Sequence, residues 1–564
     1  MVQSAQQVSS FLGFSLPADT PAQQARLAAV AAGLTGQATP TSLVSYNSSG
    51  RVLIVGPLAS ALAAAEMLAG QVSCFILATQ GGAGAPRPKG GLEKREVLGQ
   101  QVPVIHSEAR SIEGYLGNFV VTVRQGEREV DLAQAMGLAG ERLDIVLDLG
   151  RQVLLQCEVQ PPGYFAPRGD SAALAQALEA IPELTGQFEK PRYVIYNPAI
   201  CAHGERGISG CRHCLDACPA DALATTGERI TVAAHLCQGM GVCASVCPTG
   251  ALAYAYPGRA DTLDALRRAI AAARETAALT PALLLFDGEH GAPLLAGHLA
   301  QLPDDAIPWK TEAAGTTGLE VWLAALAYGA RSVTLLLTEQ TPVSVSDAMQ
   351  SQVLLARAIL EGLGLDGTAI TLAGIESLWL TPGIGKNNAE ALRPATFGGV
   401  EDKRAVLRFA IDHIAAERKV AVAPIELPRG APFGEVRVDG QRCTLCMGCV
   451  SVCPTGAMLD NKDRPQLSFI EWHCVQCGLC EQACPEQAIT REPRLLLDDD
   501  ARMRQRVLHE EVPFECVECG KAFTTVSMVE KMEQKLATHR MFQGEGLRRL
   551  RLCEDCRVKV MFDE

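Results

Sequence analysis

Nineteen of the chain's 21 cysteines stand in clusters with metal-ligand spacing; only Cys74 and Cys157 are isolated. Cys443, Cys446, Cys449 and Cys453-Pro454 follow C-x2-C-x2-C-x3-C-P, and Cys474, Cys477, Cys480 and Cys484-Pro485 repeat it. Three close thiolates on one loop suit three corners of an iron–sulfur cubane. In this spacing the fourth cysteine serves the neighbouring cluster. The predicted ligand sets are Cys443, Cys446, Cys449 and Cys484 for one cluster, and Cys474, Cys477, Cys480 and Cys453 for the other. The fourth cysteine is expected to open a helix that points away, with proline fixing the turn. Gly448 and Gly478 are expected to let backbone N–H groups approach the sulfides. Zinc sites favour two C-x2-C pairs, which argues against zinc at these residues.

An earlier set is irregular. Cys211, Cys214 and Cys218-Pro219 fill the second, third and fourth positions, but Ile208 occupies the first. Cys201 lies upstream, with nine residues between it and Cys211, and a longer loop can return it to the cluster. His203 is a rival ligand of a rarer kind. The next motif reads Cys237, Met240, Cys243 and Cys247-Pro248, with Met240 where cysteine belongs. A neutral thioether is a poor ligand for a cubane that needs thiolate charge. The group of Cys237, Cys243 and Cys218 therefore has three outcomes: a [3Fe-4S] cluster, a labile [4Fe-4S] cluster with another fourth ligand, or an empty site. Cys201, Cys211, Cys214 and Cys247 are expected to hold an ordinary [4Fe-4S] cluster, which brings the total to three plus the altered site.

The end of the chain carries Cys516-x2-Cys519 and Cys553-x2-Cys556, with 33 residues between the pairs. Cys519-Gly520 is a knuckle turn, and the pattern reads as a zinc ribbon with a helical insertion over 527–536. A further iron–sulfur cluster is the alternative. His539 is expected at the surface, because four thiolates already suffice. Zinc would staple a small tail that lacks a core. Cys74 on a strand and Cys157 among apolar residues are expected to be buried structural thiols.

The elements that must position these groups follow from the apolar pattern. Residues 1–45 read as Ala-rich helix. Strands are expected over 51–55, 73–78 and 143–149, a helix over 59–68, and a hairpin about Gln125-Gly126. Further strands are expected over 282–286 and 332–337, and helices over 319–328, 353–363 and 402–418. The tetrads at Cys218, Cys247, Cys453 and Cys484 share the form Cys-Pro-x-x-Ala-apolar, and they come in two pairs about 200 residues apart. That is a duplication of a unit already duplicated.

Composition bounds the function. The chain has 564 residues, 48% hydrophobic and 20% charged, as expected for several folded domains. A net charge of −13 argues against nucleic acid or an anionic membrane surface as partner. The opening residues lack a basic export signal. The least charged stretch, 67–86, is interrupted by glycine and glutamine and does not read as a membrane span. Thiolates committed to metal point to the cytoplasm.

A nucleotide site is weakly written. Residues 51–68 have a strand–turn–helix layout, but of the glycines in G-x-G-x-x-G only Gly56 is present, followed by Pro57. The stretch 80–91 could cradle phosphate with Arg87 and Lys89, although a surface loop is the simpler reading. These features argue against FAD, and no catalytic motif stands out.

Residues 426–492 resemble two-cluster bacterial ferredoxins, and 192–260 resemble them more loosely. The stretch 281–337 is similar to the delta-subunit domain of methyl-viologen-reducing hydrogenase, although 258–442 has no cysteine. The N-terminal α/β part resembles a degenerate flavin domain of heterodisulfide reductase. The whole order, including 188–219 and CVECGKAF at 516–523, is similar to a proteobacterial family of 4Fe-4S binding proteins. Members are often encoded beside molybdenum-dependent formate dehydrogenase, and they carry cysteine where this chain has Met240.

The resemblance implies an α/β multidomain chain with two α+β ferredoxin-like modules and a small zinc-ribbon-like tail. The expected partition is a helical segment 1–45, an α/β domain 46–190 and a first ferredoxin-like module 191–260. An α/β domain 261–375, a helical linker 376–430, a second module 431–492 and the tail 493–564 follow. The expected function is relay of single electrons for an oxidoreductase, with formate dehydrogenase subunits among the partners implied. A flavin-dependent reductase and a metalloenzyme maturation factor are the alternatives.

Overall fold

The computed structural model describes residues 2–36, 38–79, 92–125, 128–138, 140–277, 280–380, 384, 392–539, 542 and 545–562. The stretch 80–91 with Arg87 and Lys89, and Gly126 of the expected hairpin turn, lie outside the described residues.

Continuous apolar runs build the first sheet. Arg51–Gly56, Ser73–Ala78 and Ile145–Asp148 are buried along nearly their whole length, as parallel strands covered on both faces must be. Across the sheet the order is Tyr164–Phe165, Ile145–Asp148, Arg51–Gly56, Ser73–Ala78, Gln100–His106, Leu92–Val97. All neighbours are parallel except the last pair. The helix Leu58–Met67 covers one face through Ala61, Ala64 and Ala65. The antiparallel strands Ala109–Glu113, Val120–Gln125 and Arg128–Asp131 cover the other, where Val121 and Val123 share a core with Leu53 and Leu77.

The second sheet is wholly parallel, in the order Ala306–Thr311, Ala282–Asp287, Ser332–Leu336, Ile370–Ala373. Its helix Leu319–Ala327 is buried on every side. The helix Lys403–Arg418 packs on it through Val406, Leu407, Ala410, Ile411 and Ile414, the spacing of one helical face. The helix expected over 353–363 begins ten residues earlier, as Val343–Gly362. Its opening Val-Ser-Val-Ser hides the face that Val345, Met349, Gln352 and Leu355 continue. The N-terminal helices Val2–Leu12 and Pro21–Gly33 pack against this second sheet rather than the nearer first one. Phe11 lies with its ring centroid 5.0 Å from that of Trp309, and Pro21–Gly33 runs beside the helix Arg259–Ala277.

The two cysteine-rich regions share one layout. Each has an outer antiparallel pair joining its ends: Val194–Tyr196 with Leu252–Tyr254, and Gly434–Val438 with Ile489–Leu495. Each also has an inner hairpin: Leu223–Thr226 with Arg229–Val232, and Met458–Asp460 with Gln466–Phe469. The tail holds the hairpin Pro513–Glu515 with Ala522–Thr525, then the helices Val526–Leu536 and Glu554–Phe562. Among the described residues no helix is long and apolar enough to cross a membrane.

Candidate metal centres

The third cysteine of each motif sits in a short helical turn. These are Cys214 in His213–Asp216, Cys243 in Val242–Ser245, Cys449 in Gly448–Ser451 and Cys480 in Leu479–Ala483. The fourth cysteine follows that turn and does not open a helix, contrary to the sequence expectation. The proline after it lacks an N–H, and the third residue after it is left-handed: Asp221 (φ 47°), Gly250 (78°), Gly456 (63°) and Gln487 (49°). Positive φ also marks the second and fourth residues after the leading cysteine: Leu445 and Met447, Gln476 and Gly478, Gly239 and Gly241. Gly478 takes the left-handed turn in one loop, but in the other the turn falls on Met447 rather than Gly448.

Two small cavities gather predicted ligand sets. One is lined by Cys443, Cys446, Cys449 and Cys484. The other is lined by Cys201, Cys211, Cys214 and Cys247. Cys201 returns to Cys211 because the intervening residues fold as a hairpin, Gly204–Glu205 against Ile208–Ser209. Arg206 (φ 52°) and Gly207 (77°) make its two-residue turn. The sequence reading missed this hairpin, although Gly207 marked the turn. Buried His203 lines the same cavity, and its Nδ1 donates to the Cys211 carbonyl at 2.9 Å.

The other two sets are brought within electrostatic reach. Burial pushes the Cys474 thiol up to about 12, and the charges of Cys477 and Cys453 add to the rise. Cys480 is raised by burial and then by Cys474, Cys477 and Cys453. Burial raises Cys243 well above the usual thiol range, with Cys237 and Cys218 contributing. Met240 is half-buried and packs against the core of the second sheet, between left-handed Gly239 and Gly241. The loop thus keeps the backbone of its three-cysteine counterparts without the second thiol. Lys190 Nζ donates to the carbonyls of His235 at 2.8 Å and Cys237 at 2.7 Å, which fastens this loop to the strand Gly186–Pro191.

The donor set fits iron–sulfur clusters. Buried thiols are costly to ionise unless a cation or hydrogen bonds compensate. Sulfurs here already accept hydrogen bonds. Ala488 N–H donates to Cys484 Sγ at 3.2 Å, Leu252 N–H to Cys247 Sγ at 3.5 Å, and Gln476 Nε2 to Cys474 Sγ at 3.4 Å.

The two regions touch at the hairpin that returns Cys201. Gln482 Nε2 donates to the Ser209 carbonyl at 3.1 Å. A Cβ on Gly210 would lie 2.8 Å from Leu479 Cγ, so only glycine admits this approach. Cys211 follows Gly210, and Cys477 lies two residues before Leu479. The Cys211 thiol, pushed up to about 12 by burial, is raised further by Cys247 and by Cys477 across the junction.

In the tail the sulfurs of Cys516, Cys519, Cys553 and Cys556 all lie within 4.8 Å of one another. Tetrahedral zinc with Zn–S of about 2.3 Å needs sulfurs about 3.8 Å apart, and Cys519 and Cys553 are at 3.7 Å. Gly520 (φ 71°) makes the knuckle. Burial raises the Cys516 thiol, but N–H groups of Cys553, Cys519 and Glu518 outweigh it and bring the thiol down to about 6. His539 is exposed and outside this group. The tail leans on the Cys443 region: Thr525 Oγ1 donates to the Thr444 carbonyl at 3.3 Å, and Lys535 meets Glu486 at 3.0 Å.

Gly56 ends the strand Arg51–Gly56 at the sheet's switch point, where dinucleotides bind in such folds. Leu149 lies close against this glycine: its N–H donates to the Val55 carbonyl at 2.8 Å, and a Cβ on Gly56 would meet Leu149 Cβ at 2.9 Å. Cys74 is buried in the sheet as expected. Cys157 is only half-buried, because its segment runs along the surface and pairs Val159 N–H with the Pro219 carbonyl at 2.9 Å.

Four-cysteine cavities of this kind define an iron–sulfur protein, and comparison with known proteins agrees. Residues 435–485 match the model of the 4Fe-4S dicluster domain. The chain is 33% identical over 57 residues to an uncharacterized ferredoxin of Methanocaldococcus jannaschii, covering 10% of this chain and 74% of that protein. It is 31% identical over 101 residues to an iron-sulfur protein of Rhodospirillum rubrum, covering 17% of this chain and 52% of the other. An indolepyruvate oxidoreductase subunit of Methanothermobacter marburgensis is 27% identical over 134 residues, 24% of this chain and 20% of that subunit. The chain thus spans about half or less of the last two relatives. Through the stretch that carries residues 435–485 it belongs to the ferredoxin family, with a 4Fe-4S dicluster domain.

Proposed function

We propose that the chain relays single electrons along four iron–sulfur sites in a row. Their order is Cys237, Cys243 and Cys218; then Cys201, Cys211, Cys214 and Cys247; then Cys453, Cys474, Cys477 and Cys480; then Cys443, Cys446, Cys449 and Cys484. The last three hold [4Fe-4S] clusters. The first, lacking a thiolate at Met240, holds a [3Fe-4S] cluster. Residues 191–260 and 431–492 are the two modules, and 493–564 is a tail stapled by zinc.

The observation that carries this reading is the contact of Gly210 with Leu479, which sets Cys211 beside Cys477. Without it the chain would hold two separate pairs. The half-buried Cys443 and exposed Cys446 open the far end of the row to a partner. The chain acts in the cytoplasm with a redox partner, and a formate dehydrogenase system is the partner the family resemblance implies. Deletion tests this. The partner oxidoreductase should keep its activity with an artificial dye and lose transfer to its natural acceptor. Loss of the partner's own cofactor would instead make this chain a maturation factor.

A further inference from the structure

Lys403 and Arg404 are consecutive residues in the first turn of the helix Lys403–Arg418. Successive helical residues project about 100° apart, and these two reach different cysteine sets. Lys403 is 4% exposed. Its Nζ donates to the carbonyls of Ala244 at 2.9 Å and Ser245 at 2.5 Å, and lies 3.5 Å from Glu320 Oε2. Two carbonyls accept from the ammonium, and Glu320 meets it as an ion pair. Ala244 and Ser245 lie in the turn that leads to Cys247, and a Cβ on Gly250, just past Cys247, would sit 3.0 Å from Lys403 Cβ. The Cys247 charge acts on Lys403.

Arg404 serves the other side of the junction. Its guanidinium stacks 4.6 Å from the ring centre of Phe433 and 4.7 Å from that of Trp472. It donates to the carbonyls of Pro432 at 2.8 Å, of Trp472, and of Cys474 at 3.4 Å. Those acceptors are uncharged, so the cation is not neutralised by direct contact, and guanidinium does not deprotonate in proteins. The charges acting on Arg404 are those of Cys474, Asp402 and Arg502. Beside Lys403, Glu320 is shared with Arg259, whose Nε lies 3.1 Å from Glu320 Oε1, so this buried trio keeps one net positive charge.

We propose that Lys403 and Arg404 form an electrostatic clamp on the two inner clusters. Lys403 raises the reduction potential of the cluster of Cys201, Cys211, Cys214 and Cys247. Arg404 raises that of the cluster of Cys453, Cys474, Cys477 and Cys480. Each cluster gains one negative charge on reduction, and a fixed cation in a poorly solvated site stabilises that form. Because both cations ride on one helical turn, the two inner potentials stay matched across the junction. The proposal rests on the relay reading above.

Anaerobic redox titration of the full chain, followed by EPR, tests it. The Cys214→Ser and Cys480→Ser variants assign the two inner signals. Lys403→Gln should lower the midpoint of the Cys214 cluster alone, changing its reduced-to-oxidised ratio at fixed potential by about tenfold, which is about 59 mV for one electron. Glu320→Gln, which removes a negative charge from the same trio, should move the same cluster upward. Arg404→Gln should lower the Cys480 cluster alone. A structural role does not give opposite signs from Lys403 and Glu320. Should Lys403→Gln lose its iron or its thermal transition, the other two variants decide. Clusters present with unshifted midpoints, or both inner clusters shifted alike, overturn the clamp. Absence of iron–sulfur signals from the unaltered chain overturns the relay and the clamp together.

Discussion

Cys211 and Cys477 belong to different cysteine sets, yet they flank one contact, where Gly210 backs onto Leu479. The two sets are separated by the whole second sheet in sequence and meet here in space. A side chain at 210 would also meet the Ala202 carbonyl, 2.6 Å from the Cβ position. Gly210→Leu should therefore push the regions apart and cost about 1–3 kcal/mol by overpacking. The EPR signals of each pair should persist while transfer between pairs slows, as read by rapid reduction and freeze-quenching.

Met240→Cys supplies the missing thiolate to a loop whose backbone already turns at Gly239 and Gly241. A three-iron signal in the oxidised protein should disappear and the iron content should rise by about one per chain. Lost packing of the half-buried thioether should cost up to about 2 kcal/mol in the metal-free protein, measured by denaturant unfolding.

Removing zinc should unfold the tail and leave the clusters in place. The tail's core is Cys516, Leu552 and Cys553, with Phe523, Cys556 and Val560 half-buried, too little to hold it without an ion. Cys553→Ser should lose one zinc per chain and expose 516–556 to limited proteolysis at unchanged iron content.

Cys74→Ser and Cys157→Ser separate structural thiols from ligands. Cys74 lies in the buried strand Ser73–Ala78, so a hydroxyl there should cost about 1–3 kcal/mol if left unsatisfied. Half-buried Cys157 should tolerate the change. Neither should alter iron content, measured by metal analysis, whereas Cys480→Ser should.

Much of this was legible in the sequence because the chemistry is local. Close spacing brings cysteines together, so the gathering of Cys443, Cys446 and Cys449 about one cavity followed from counting. Arg51–Gly56 and Ser73–Ala78 followed from unbroken apolar runs. What depends on packing between distant segments was not legible. Nothing in 1–45 says that its helices cover the second sheet, and nothing around Gly210 names Leu479 as its neighbour. Lys403 and Arg404 read as ordinary charges at a helix start; only their placement between two cysteine sets gives them a role.

The central claim is a row of four iron–sulfur sites in one chain. It is tested most directly by iron and acid-labile sulfide analysis of anaerobically purified protein, with EPR on the same sample. The account predicts about 15 irons per chain, with a three-iron signal when oxidised. About eight irons, confined to Cys443, Cys446, Cys449, Cys453, Cys474, Cys477, Cys480 and Cys484, would contradict it.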